Sequence, residues 1–174
     1  MSELLQNEAR DLFEKIKDFD LSNIIARHRK DDDISYEESV ARSLELKRWL
    51  VLAKVNQSSN YQLTGPIDNI WHTFIMFTKD YEKFCEQLGG FIHHVPADHS
   101  QLIAAKSDPE LLTELNNTFN ADYGSVLSDY EGTFQETPPV HIWPNIANPF
   151  GRDTSDGDHA CGSRCGCVGQ CGPN

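Results

Sequence analysis

The chain has 174 residues, 39% hydrophobic and 24% charged, which suits one globular domain with its own core rather than a disordered segment. Lys and Arg number 15 against 27 Asp and Glu, a net charge of −12. That field repels phosphate backbones and anionic lipids, and so argues against nucleic-acid and membrane partners.

No run of about 18 apolar residues is present to span a bilayer. The start, MSELLQNEARDLFEKIKDF, is acidic and amphipathic and lacks the basic and apolar regions of a signal peptide. A cytoplasmic location is expected, where cysteines are thiols or metal ligands more often than disulfides. Residues 1–132 read as a helical domain. Leu5, Ala9, Leu12, Phe13 and Ile16 fall at helical spacing, and a short helix is expected from Leu21 to about Lys30. Asp31, Asp32 and Asp33 mark a solvated loop. Ser35 precedes Glu38 by three, a capping box, and opens a helix carrying Val40, Leu44, Trp49, Leu50 and Ala53.

Pro66, after Gly65, sits in the first turn of a central helix. Its stripe, Ile67, Trp71, Phe74, Thr78, Tyr81, Cys85 and Leu88, runs to Gly89-Gly90, as one helix or as two with a break near Thr78. A second capping box, Ser107 and Glu110 around Pro109, opens a last helix with a possible break at Gly124. From 133 to 151 four prolines in TPPVHIWPNIANP exclude regular helix; Val140, Ile142, Trp143 and Phe150 predict an extended segment packed on the helices. Residues 152–174 read as a flexible tail rich in cysteine and glycine. The fold class expected is all-α.

Asp68 and His72 are four apart and share a helix face. The carboxylate can accept the second imidazole N–H and fix its tautomer, as carboxylates do around metal-binding histidines. The double glycine can return the chain so that His93 and His94 meet His72. Two or three imidazoles with a thiolate or carboxylate suit zinc, iron or copper. The competing reading makes His72 a structural helix histidine, and Cys85, inside the apolar stripe, a small hydrophobe. No phosphate loop and no activated nucleophile are evident.

The stretch IDNIWHTFIMFTKDYEKFCEQLGGFIHH also resembles the glycine-rich domain-containing protein-like family of bacteria and plants. Asp68, Trp71, His72, Thr78, Tyr81, Cys85, Gly90, Phe91, His93 and His94 carry the likeness, with YEGTFQETPPVHIWP as a closing element. The resemblance implies a helical domain without catalytic residues to carry over. The RNA-binding role suggested for plant relatives conflicts with the acidic charge.

The tail, DHACGSRCGCVGQCGPN, spaces Cys161, Cys165, Cys167 and Cys171 as C-x3-C-x-C-x3-C. Four clustered thiols fit a thiolate site for zinc or Cu(I), or redox chemistry. The function expected is metal binding or handling, with Asp68, His72, His93, His94 and the four tail cysteines as ligands. A metal-free helical module that binds a protein partner is the alternative. A catalytic metal centre needs a pocket and an open position, which sequence does not reveal.

Overall fold

A computed structural model describes residues 1–96, 98–144 and 167–171. The described residues form an all-α body with three short strands on one side. Helix α1 (Glu3–Ile16) is capped by Ser2, and α2 (Ser22–Asp31) follows a short turn. Helix α3 (Tyr36–Val55) starts at Ser35, whose hydroxyl accepts the Glu38 N–H at 3.0 Å, as the capping box predicts.

Helix α3 is the axis of the molecule. Leu46, Trp49, Leu50, Val51 and Leu52 are all but inaccessible, and α1, α2, α4 (Pro66–Met76) and α7 (Pro109–Phe134) pack around it. A helix apolar on most sides belongs inside a bundle. Two of its charged residues, Lys47 and Arg48, reach partners on neighbouring elements. Lys47 Nζ donates to the carbonyls of Lys17 at 2.5 Å and Phe19 at 2.8 Å, closing the α1–α2 turn. The Arg48 guanidinium lies 5.1–5.7 Å from the rings of Phe13, Tyr130 and Phe134 and donates to Glu45 and Glu136, a cation–π arrangement joining α1, α3 and α7.

The central stripe divides into two helices. Helix α4 stops at Met76, and α5 (Thr78–Leu88) restarts beyond Phe77. Every stripe residue is buried except Thr78 at the break. Helix α7 runs unbroken through Gly124, and its cap is Asp108, not Ser107: the Asp108 carboxylate accepts from the N–H groups of Glu110 and Leu111 at 3.1 Å. The Asp108 carboxylate, one residue nearer the helix, reaches those donors directly. A short helix α6 (His99–Ala105) precedes it.

The acidic loop is not merely solvated. Asp32 pairs with Arg42 at 2.9 Å and accepts from Asn69 of α4 at 3.2 Å. The proline-rich segment holds a turn, with the Ile142 and Trp143 N–H groups both donating to the Pro139 carbonyl. Trp143 is 3% exposed; its indole N–H donates to Glu45 at 2.8 Å, and its ring packs against Tyr123 and Tyr130.

The strands are β1 (Gln62–Leu63), β2 (Ile92–Val95) and β3 (Cys167–Cys171), in the order β1-β3-β2 with both pairings antiparallel. The central strand β3 falls at residues 167–171, inside the tail read from the sequence. Cys161 and Cys165 lie outside the described residues, and so does the expected packing of Phe150. Among the described residues no helix is long and apolar enough to cross a membrane.

Candidate metal centre

The site begins at the first turn of α4. Gly65, at φ 68°, makes the entry; the Pro144 ring lies 3.1 Å from where a Cβ would sit. Pro66 opens the helix, and Asp68 falls in its first turn, fully buried. The N-terminal end of the helix dipole favours a carboxylate there, which helps a buried acid to be tolerated. One turn later His72 stands on the same face, with Nε2 3.7 Å from Asp68 Oδ1.

The second histidine arrives by way of the double glycine. Gly89 adopts φ 83° as the C-cap of α5 and Gly90 has φ 158°, with the Lys54 side chain filling the space a Cβ at Gly90 would need. The chain turns back into β2, clipped by a buried relay. Trp71 Nε1 donates to the Tyr81 hydroxyl at 3.2 Å, and that hydroxyl donates to the Ile92 carbonyl at 2.5 Å. Successive strand residues face opposite ways. Ile92 is buried, His93 is exposed against the Phe91 ring, and His94 returns to the interior.

His94 Nε2 thereby lies 2.6 Å from His72 Nε2, with ring centroids 4.5 Å apart. The His94 ring also packs 4.9 Å from Trp71, which in turn meets Trp49 at 4.8 Å. One ligand atom from each of Asp68, His72 and His94 lies within 4.8 Å of the others. His93 is not in this group: strand alternation turns it to the outer face. Cys85 is 3% exposed in the core, as its place in the stripe predicts, and is not in the group either.

Burial disfavours the charged imidazolium at both histidines. It holds His72 down to about 4, with the neighbouring His94 adding to the effect, and it lowers His94 as well. Both rings are neutral at pH 7. Two Nε2 atoms facing each other at this distance either share one N–H or converge as lone pairs on a common point. Tetrahedral zinc with bonds of about 2.0–2.1 Å separates its ligand atoms by about 3.3 Å. The Asp68–His72 spacing is close to that, and the imidazoles need to part by several tenths of an ångström. The donor set of two neutral imidazoles and a carboxylate suits a divalent transition ion.

Residues 13–112 match the UCP032817-like family. The chain belongs to that family. Membership of the UCP032817-like family corrects the resemblance to glycine-rich domain-containing proteins: the matching family is a different one. Trp71, Tyr81 and Cys85, among the residues that carried the resemblance, are buried packing positions in this chain. No curated protein and no solved structure matches the chain.

Sequence alone does not mark Trp71 and Tyr81 as positioning residues for this cluster. The signal was present, since a tyrosine inside an apolar stripe must find a partner for its hydroxyl. His28 is a further buried histidine that the sequence does not single out. It is fully buried between α2 and α3, 3.8 Å from Asp32, and burial lowers its pKa. It braces the loop that holds Asn69 and adds no ligand to the centre.

Proposed function

We propose that this protein binds a divalent transition ion of the zinc class at Asp68, His72 and His94. The observation that carries the reading is the convergence of three potential ligand atoms from two elements, with both imidazoles held neutral by burial. Neutral imidazole is the form that ligates, so protons compete with the ion at His72 only near pH 4. The family match carries no activity to this chain, and metal handling or sensing is the role the site supports.

The test is elemental analysis of protein purified without added metal, followed by titration with zinc and with Cu(I). Stoichiometric ion in the wild-type chain and its loss in a His72→Ala/His94→Ala variant supports the reading. His93→Ala should leave the ion in place.

A second reading has one observation in its favour. His94 is sandwiched against Trp71 like any packed ring, and a single shared N–H satisfies both imidazoles. On that reading the histidine pair is a structural clip in an interaction module. Absence of bound ion at every tested concentration, with normal folding, selects it.

A further inference from the structure

We infer that the ion at Asp68, His72 and His94 keeps a coordination position open to solvent, where it takes up one small anionic ligand. The inference rests on the reading above and adds what the bound ion itself binds.

The donor count points this way. Zinc sites that only brace a fold close their tetrahedron with four protein ligands, whereas sites that act on a further molecule use three and leave the fourth position to water or to that molecule. Among the described residues the group holds three ligating side chains. Two other candidates from the same stretch of sequence lie elsewhere: His93 is on the exposed face of β2, and Cys85 is in the core. Two histidines and one carboxylate are also the donor set of ferrous centres with open positions, so an open position suits ferrous iron as well as zinc.

Depth gives the opening a direction. Asp68 is fully buried, while the His72 side chain is 26% exposed and His94 is half-buried. The carboxylate therefore meets an ion from the interior, and the imidazoles meet it from the rim. Their ligand atoms lie within 4.8 Å of one another, close enough to cap one face of an ion. The uncapped face is turned away from Asp68, towards solvent. The Trp71 ring, 4.9 Å from His94 and fully buried, walls the inner side.

Charge names the ligand class. Two neutral imidazoles and one carboxylate leave a single positive charge on a divalent ion. An uncompensated charge in a half-buried place is costly, and one anionic donor cancels it. The net charge of −12 repels polyanions. At 0.15 M salt that field fades within about 8 Å, so a small monoanion still approaches. The ligand is therefore a small anion, or a small molecule that presents one anionic group. On binding, the metal–water bond breaks, the anion's lone pair forms the new metal bond, and the water leaves unchanged.

Cobalt(II) substitution tests the inference, with azide as the anion. The full-length chain is loaded with one equivalent of Co(II), and its visible d–d bands are followed as azide is added. The expected result is a saturable change in band position and intensity, with one azide per cobalt. The same change should appear in a His93→Ala variant, which keeps all three ligands. Far-ultraviolet circular dichroism checks that each variant folds.

Cobalt bands that depend on His72 and His94 but ignore azide mean a closed site, which overturns the inference and leaves the three-ligand reading standing. An intense near-ultraviolet sulfur-to-cobalt band does the same, because a thiolate then holds the fourth position. An azide response that survives the His72→Ala/His94→Ala change comes from cobalt held elsewhere and overturns it too. Failure of the full chain to bind cobalt through His72 and His94 overturns both readings.

Discussion

His72 shows how a single residue ties acidity to folding. Its folded value of about 4 lies below its unfolded value of 6.5. Between those limits the unfolded chain binds more protons than the folded one, so stability falls as pH drops. The contribution is complete above about pH 6.5 and is lost as pH falls towards 4. The shift corresponds to at most about 3.4 kcal/mol, and the 26% exposure of the side chain makes the real value smaller. His94 and His28 are lowered too and act with the same sign. Urea midpoints of the metal-free protein should therefore decline across this window, and a His72→Gln variant should decline less. Parallel curves for the two proteins would remove His72 from the account. Tyr81 makes a second residue-scale prediction. Tyr81→Phe strips the Ile92 carbonyl and the Trp71 indole of a buried partner, at a cost of about 1–3 kcal/mol. Metal affinity should drop with it, because β2 is what carries His94.

Among the elements, helices were legible in the sequence and strands were not. The capping box at Ser35, the proline at the start of α4, the double glycine after α5 and the apolar stripes all encode local physics within one or two turns. Asp108 displaced Ser107 as a cap because choosing between adjacent capping residues depends on backbone direction, which composition does not state. The segment IHHV shows why strands escaped. Four residues with two adjacent histidines give no alternation to read, and their partner in the sheet lies far along the chain. Missing β2 meant missing the rule that separates His93 from His94, so the two were grouped as ligands together. The Pro/Trp segment was better encoded, since a large ring among prolines has to be buried somewhere. Trp143→Ala should cost about 3–5 kcal/mol, with additional loss because Glu45 keeps its burial but loses the indole donor. A denaturant midpoint equal to wild type would show that the segment does not hold α3 and α7 together.

For the whole molecule, the core found among the described residues is built around α3 from residues that precede the cysteine tail. Removing residues 152–174 should leave the far-UV helical signal and the cooperativity of unfolding nearly unchanged. A collapse of both would show that the tail carries more of the fold than the buried residues suggest. The strand order carries a different consequence. Because β3 lies between β1 and β2, those two strands have no bonds to each other. With strands about 4.8 Å apart in a sheet, taking β3 away opens a slot about 9.6 Å wide, bordered on both sides by unpaired backbone groups. Such edges recruit other chains, and the best-matched insert is the same strand from a second copy. The tail-deleted protein should therefore self-associate at high concentration in light scattering. Adding a peptide of residues 165–173 should return it to a monomer, whereas a scrambled peptide should not. The full-length chain, at concentrations where its tail is transiently released, has the means to exchange strands reciprocally between two molecules.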